Sequence, residues 1–127
     1  MFLKVNPADE IPIYEQIVRQ VKFAVASKSL VQGELIPSVR ELAKQLAVNP
    51  NTVVRAYRQL QDEGLIASRR GTGMIVTDRA QDICHTLRVE MIRDRLRQVL
   101  AEAEQSGLDQ QAIRKLVEAE ISKLKKH

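Results

Sequence analysis

Aromatic residues are scarce in this sequence. Among 127 residues there are two phenylalanines, two tyrosines and no tryptophan. Proteins that bind single-stranded nucleic acids stack the bases on aromatic side chains, so this composition argues against that mode of binding. It also argues against a wide ligand pocket lined by aromatic rings. The hydrophobic core has to be built from leucine, isoleucine, valine and alanine.

Cysteine and long hydrophobic runs are also scarce. The single cysteine, Cys84, cannot form an intramolecular disulfide, and a reducing cytosol is the default compartment for such a chain. No apolar run approaches the roughly 18 residues of a membrane helix. Residues 1–10 lack the basic and apolar segments of a secretory signal. We therefore expect a cytoplasmic protein with no membrane partner.

Length and charge limit the architecture and the partners. The chain fits one or two small units and is too short for a dinucleotide-binding α/β enzyme or a barrel. Hydrophobic residues make up 44% and charged residues 28%, as is usual for a globular chain. The formal net charge of +4 permits an anionic partner without identifying one.

The first half of the chain has the pattern of three helices. Apolar residues recur at helical spacing over residues 13–28. Ser38 with Glu41 forms the capping box of a second helix. Asn49 followed by Pro50 is typical of the start of a third. Only a tight turn separates the second and third helices, an arrangement that indicates a helix-turn-helix.

Short β-prone segments complete this half. Residues 65–69 and 74–77 flank a glycine-containing turn, which predicts a hairpin. A hairpin directly after a helix-turn-helix is the wing of a winged helix. Residues 2–5 are predicted as a further short strand.

Residues 78–127 have a different character. Apolar residues at helical spacing predict one long helix from Ile83 to Ala103, and after Gly107 a last helix is capped by Asp109. Two amphipathic helices form a poor core alone, so we expect them to pack against a second copy of the chain. The residues predicted to form this homodimer contact are Ile83, Leu87, Met91, Leu96, Leu100, Leu116, Val117, Ile121 and Leu124.

These elements predict a mostly α-helical fold with a small β wing. Residues 1–77 form a winged helix-turn-helix DNA-binding domain, and residues 78–127 form a helical dimerisation region. Asparagine, threonine and arginine side chains on the third helix can bind base edges and phosphates in the major groove, and basic residues on the second helix and the wing can contact the DNA backbone. The residues predicted to contact double-stranded DNA are Ser38, Arg40, Lys44, Asn49, Asn51, Thr52, Arg55, Arg58, Arg69 and Arg70.

Other roles stay open for several of these residues. The alternative for Ser38 is a helix-capping role without a DNA contact, and the alternative for Arg40 is an exposed surface charge. Arg55 can instead pair with Asp62 or Glu63. The two wing arginines can belong to a solvated turn.

Nothing in the sequence is typical of an enzyme. Cys84 and His85 are adjacent and point apart on a helix, and the other histidine is His127. Metal ligands have to converge, so we expect no metal site. No Ser-His-Asp or paired-carboxylate arrangement stands out. We therefore expect no enzymatic activity and no cofactor.

Two stretches carry a family resemblance. The segments LIPSVRELAKQLAVNPNTVVRAYRQLQDEGLI and RRGTGMIV resemble the DNA-binding domain of the GntR family of bacterial transcription regulators, over roughly residues 10–77. The short two-helix tail resembles the YtrA-type subfamily, which implies dimerisation and no large effector domain. The MocR-type subfamily shares the Asn-Thr-Val-Val-Arg-Ala-Tyr run, but it has a fused aminotransferase-like domain for which this chain is too short.

The resemblance also implies site residues. Two positions depart from the family, because many members have arginine where Pro50 and Val54 stand here. Arg55 or Arg58 is a candidate to replace the arginines that these two positions lack. The contacts carried over from the family fall on Arg40, Asn49, Asn51, Thr52, Arg70 and Gly71.

We predict a sequence-specific transcription regulator that acts as a homodimeric repressor on an inverted-repeat operator, and the resemblance implies targets such as its own transporter-linked operon. An unidentified small-molecule effector stays open as a partner. Two alternatives are a small-ligand sensor centred on the tail and a winged-helix module for protein–protein contact. The outward polar residues argue against the second, because such a surface would carry apolar anchors.

Overall fold

Helices dominate the computed structural model, which describes residues 3–124. The chain divides into two compact units, Met1–Arg88 and Val89–His127. The elements of the described residues are α1 (Ile13–Ala26), α2 (Val39–Leu46), α3 (Pro50–Asp62), β1 (Ile66–Arg69), β2 (Gly73–Val76), α4 (Ala80–Ile83), α5 (His85–Gln105) and α6 (Gln110–Leu124). The predicted mostly helical fold with a two-stranded wing is confirmed.

The core of the first unit lies between α1 and α3. Apolar residues at helical spacing on α1, such as Ile17 and Val21, are fully buried. They pack towards the apolar side of α3, which contains Val53 and Leu60. Burial of one side of α3 against α1 leaves its other side exposed.

The predicted caps of the helix-turn-helix are confirmed. The Ser38 hydroxyl accepts a hydrogen bond from the Glu41 N–H at 3.1 Å, and the Glu41 carboxylate accepts one from the Ser38 N–H, also at 3.1 Å. At α3 the Asn49 side-chain oxygen accepts a bond from the Asn51 N–H at 2.8 Å. Between the helices, Ala47 adopts a left-handed conformation with φ 55° and ends α2.

The wing contains a pairing that the sequence analysis missed. β1 and β2 are antiparallel, with Ile66 opposite Val76. The segment before α2 lies on the other edge of β2, where Leu35 forms an isolated bridge with Ile75. The Ile36 N–H also donates a hydrogen bond to the β2 backbone. Residues 33–36 therefore tie the start of the helix-turn-helix to the wing.

The predicted strand at residues 2–5 is wrong in its described part. Phe2 lies outside the described residues, and residues 3–5 form no strand. Backbone N–H groups in and next to this segment instead donate hydrogen bonds to side-chain amides of α1. The Lys4 N–H donates to the Gln20 side-chain oxygen at 3.0 Å, and the Asn6 N–H donates to that of Gln16 at 2.8 Å. These amides take the place of a partner strand.

The predicted long helix from Ile83 is also wrong in its first turn. Cys84 ends α4 and is buried, and a separate helix begins after it. Gln81 fixes α4 to α1 by donating a hydrogen bond to the Val25 carbonyl at 2.6 Å. The first unit therefore extends beyond the boundary predicted after residue 77, and it includes the predicted dimer residues Ile83 and Leu87.

The second unit contains most of α5 and all of α6. Gly107, with φ +92°, lies in the turn that separates the two helices. The Asp109 carboxylate accepts a hydrogen bond from the Ala112 N–H at 2.8 Å, as its predicted capping role requires. Within the described residues, no side chain of α5 or α6 is buried. None of the described helices has the length and apolar character to cross a bilayer.

Tyr57 joins α3 to the segment that precedes α2. Its side chain is 2% exposed, and its hydroxyl donates a hydrogen bond to the Pro37 carbonyl at 2.8 Å. Burial raises the pKa of the Tyr57 hydroxyl, and the negative charge of Glu41 raises it further. The folded protein therefore keeps this proton at a pH where an unfolded tyrosine has lost it.

We expect the free energy of unfolding to fall as the pH rises above about 10, because the folded state then binds one proton more than the unfolded state. The slope contributed by Tyr57 approaches about 1.4 kcal/mol per pH unit. Urea unfolding from neutral to alkaline pH measures it. Tyr57→Phe should lose about 1 kcal/mol at neutral pH and show a shallower alkaline slope. Equal slopes in the two proteins would contradict this role of the hydroxyl.

Candidate nucleic-acid interface

The two sides of α3 have opposite chemistry. Val53, Ala56, Tyr57 and Leu60 are buried. The predicted site residues lie on the other side, where Asn51, Arg55 and Arg58 are exposed and Thr52 is half-buried. The helix therefore presents amide, hydroxyl and guanidinium groups outward, and these are the groups that bind base edges and phosphates.

The predicted residues of α2 form an exposed basic side. Arg40 and Lys44 are both exposed and are one helical turn apart, so they lie on the same side of the helix. Ser38 is occupied by its capping bonds, which also lower the pKa of Glu41 through the backbone and side-chain donors of Ser38. The capping role that was left open for Ser38 is therefore present in the structure, and a phosphate contact stays a prediction.

Arg55 does not pair with either of the acidic residues considered for it. Glu63 accepts hydrogen bonds from Lys22 at 2.8 Å and from Gln59 at 3.3 Å. The guanidinium carbon of Arg55 instead lies 3.8 Å from the centre of the Tyr14 ring. Tyr14 lies in the stretch of residues 13–28 whose apolar spacing predicted a helix, and no local signal in the sequence links it to α3.

The wing turn has the conformation that its glycines permit. Arg69 ends β1 opposite Gly73, and Arg70 and Gly71 lie in the turn. Gly71 has φ +80°, a conformation that L side chains rarely adopt, although a Cβ there would meet no atom within 4 Å. Backbone conformation rather than lack of space therefore favours glycine. Both arginines are exposed.

The cations of this surface take no part in the ion pairs found within residues 3–124. Those pairs involve Arg19, Lys22, Arg97 and Lys123. Among residues 3–124, no carboxylate therefore lies within salt-bridge distance of the positive charges of the candidate interface. They belong to Arg40, Lys44, Arg55, Arg58, Arg69 and Arg70.

The structure brings some of the predicted residues into one place. Asn51, Thr52 and Arg55 line an open depression of about 420 Å³, and residues 12–14 at the start of α1 form its other side. Asn49 caps the same helix end. The contribution of α1 to this depression was missed by the sequence analysis.

The described residues contain no group of three or more histidine, cysteine or acidic side chains placed to hold a metal ion. Cys84 is buried, and burial raises the pKa of its thiol. His85 is exposed and lies 3.1 Å from the guanidinium of Arg88. His127 lies outside the described residues.

A helix-turn-helix with an outward polar helix and a basic wing defines the winged helix-turn-helix class of DNA-binding proteins. The family model described as bacterial regulatory proteins, gntR family, matches residues 13–76. The chain belongs to the GntR family. The predicted family is confirmed.

Individual relatives extend the similarity into the tail. The HTH-type transcriptional repressor YtrA of Bacillus subtilis is 36% identical over 107 residues, covering 84% of this chain and 82% of that protein. A transcriptional regulator from Oenococcus oeni has a solved structure with TM-score 0.66 and 32% identity, covering 92% of this chain and 97% of that one. YtrA from Sulfolobus acidocaldarius, a GntR-family transcription factor, has TM-score 0.57 and 29% identity, covering 97% and 99%. The YtrA-type resemblance is confirmed.

Fold, family and surface chemistry agree on a coarse function. The chain is a DNA-binding transcription regulator, and its relatives are regulators rather than enzymes.

Proposed function

We propose that this regulator is a homodimeric repressor that binds an inverted-repeat operator and blocks RNA polymerase. The observation that carries the proposal is the outward side of α3, which is polar and basic and lacks ion pairs with carboxylates in the described residues. The Bacillus subtilis relative is a repressor, which supports the sign of regulation. Its own transporter-linked operon is a proposed target, by resemblance to the YtrA-type subfamily.

In this proposal α3 enters the major groove and its first turn reads the sequence. Asn51 and Thr52 stand at the second and third positions of the helix, where side chains reach base edges. Arg40 and Lys44 on α2 bind phosphates, and Arg70 in the wing turn approaches the backbone or the minor groove. Phosphate contacts supply affinity, and base contacts supply specificity.

The polar surface of α3 also weighs against a protein–protein module. Such a module needs apolar anchors in its contact surface. Within α3, Val54, at 36% exposure, is the one large apolar side chain that is exposed.

The proposed dimer uses the second unit. Its two helices expose large apolar side chains, with Ile92 at 62% and Leu124 at 68%. Extended apolar surface of this kind marks an interaction site. A groove of about 650 Å³ between α5 and α6 adds Leu96, Leu100 and Val117 to this surface. A second copy of the chain packed against this surface would bury the exposed apolar side chains and the residues of the groove. The dimer would then place two α3 helices on one operator.

The predicted dimer residues lie in both units. Ile83 and Leu87 belong to the first unit, and their part in the contact remains proposed. The other seven lie in the second unit and remain proposed: Met91, Leu96, Leu100, Leu116, Val117, Ile121 and Leu124.

Replacement of Arg40 by alanine tests phosphate binding. Arg40→Ala should weaken binding to all duplexes alike and reduce the slope of log affinity against log salt by about one, because one counterion fewer is released. Fluorescence anisotropy over a salt series measures both quantities. Arg19→Ala is the control, because Arg19 is already paired with Glu15. An unchanged slope would remove Arg40 from the phosphate contacts.

Replacement of Asn51 or Thr52 tests sequence reading. Asn51→Ala and Thr52→Ala should relax the preference at particular base pairs by roughly 1–3 kcal/mol, the usual discrimination of a good base contact. Selection from a random duplex library, followed by sequencing, gives the preference of each variant. Gln61→Ala, an exposed change at the other end of α3, should leave it unaltered. The same preference in all four proteins would show that the first turn of α3 does not read bases.

Two charges placed in the groove of the second unit test the dimer. The double variant Leu96→Glu, Leu100→Glu should sediment as a monomer, because burial of unpaired carboxylates is costly. It should also lose most operator binding, since linkage of two half-sites raises avidity by roughly 10²–10⁴. Gln98→Glu adds a charge about 200° around the helix from both positions and should leave the dimer intact.

Thermal unfolding of the double variant checks that the first unit stays folded. A double variant that remains dimeric would locate the dimer contact elsewhere in the chain.

A further inference from the structure

Tyr14 and Arg55 form a contact that the packing of the first unit does not require. The core between α1 and α3 is already filled by fully buried aliphatic residues. Tyr14 is only half-buried and Arg55 is exposed, yet the guanidinium lies 3.8 Å from the ring centre. The contact therefore fixes an exposed cation at the edge of the core.

A stacked arginine differs from an arginine in a salt bridge. The face of an aromatic ring attracts the guanidinium through its quadrupole but carries no net charge. The positive charge of Arg55 is therefore held in place without being neutralised. The N–H donors lie in the guanidinium plane and point outward from its edge, so stacking leaves donors available to an anion.

Fixing the side chain also reduces the cost of binding. A mobile arginine loses rotamer freedom when a ligand captures it, and a side chain already held in place loses less. The ring of Tyr14 thus holds the Arg55 side chain in place, which lowers the entropic cost of binding an anionic partner.

The position of the contact identifies that partner. Arg55 shares the open depression with Asn51 and Thr52, and Tyr14 forms part of the opposite side. The Arg55 guanidinium therefore lies against α1, although its backbone position is on the outward side of α3. An α-helix about 10–12 Å across fills the major groove, so side chains on its flanks meet the phosphate backbones that border the groove.

We propose that Tyr14 is a positioning residue that holds the Arg55 guanidinium against a DNA phosphate at the border of the major groove. Through this residue, α1 takes part in DNA binding although it lies outside the helix-turn-helix. The inference rests on the proposed function, because it requires α3 to lie in the groove.

The test compares variants of the full chain on two duplexes: one selected by the unaltered protein from a random library, and one with the same base composition in scrambled order. Tyr14→Leu keeps an apolar side chain without the ring face and should weaken binding to both duplexes about two- to fivefold, the fold-change that corresponds to an exposed cation–π contact. Tyr14→Phe keeps the ring and should bind like the unaltered protein. In an Arg55→Ala background, Tyr14→Leu should have no further effect, which a purely structural role of Tyr14 would not produce.

Arg55 itself is exposed, so its variants test the phosphate without risk to the fold. Arg55→Ala should lower the salt slope by about one and leave the base preference unaltered. Arg55→Lys should keep the slope but bind about two- to fivefold more weakly, because lysine lacks the planar fork that stacks. Arg19→Ala, about 140° around α1 from Tyr14, is the control for lost charge.

Three results would overturn the proposal: equal effects of Tyr14→Leu with and without Arg55, a changed base preference in Arg55→Ala, or Arg55→Lys binding as well as arginine. Failure of the unaltered protein to bind either duplex would overturn the proposed function itself, and this inference with it. Binding by the unaltered protein combined with any of the three results would overturn the inference alone.

Discussion

The packing of α1 against α3 is the constraint on which the candidate interface depends. Because Val53 and Leu60 are fully buried, the rotation of α3 about its axis is fixed and its polar residues have to face outward. The Tyr57 hydroxyl adds a second attachment by donating a hydrogen bond to the Pro37 carbonyl. This bond fixes the position of the segment before α2 relative to α3. A change of rotation would bury Asn51 or Arg58, and burial of such groups without partners is costly.

Local patterns predicted the first unit well, and contacts between distant residues explain the failures. The caps at Ser38 and Asn49 depend on neighbours within three residues, so the sequence contains the whole signal. The bridge between Leu35 and Ile75 and the stack of Arg55 on a ring of α1 join segments about 40 residues apart, and periodicity carries no information about such pairs.

The second unit shows the limit of helical periodicity in another way. Its hydrophobic pattern correctly predicted two amphipathic helices, but residues 83–103 were interpreted as one continuous helix. Burial of Cys84 and the hydrogen bond from Gln81 to α1 draw the first part of this segment into the first unit. The apolar pattern alone could not divide the segment, because the buried apolar residues of the first unit and the exposed apolar residues of α5 recur at the same helical spacing.

The departure of this chain from the family pattern has a physical consequence for the interface. The family resemblance implies arginine at the position of Val54, whereas here the arginine stands one residue later. One residue along an α-helix is a rotation of about 100°, and at its position here the Arg55 guanidinium lies 3.8 Å from the centre of the Tyr14 ring. The outward side also carries the exposed side chains of Asn51 and Arg58. Arg55 follows Asn51 by one helical turn, so the proposed phosphate contact and the proposed base contact are neighbours on the same side of α3.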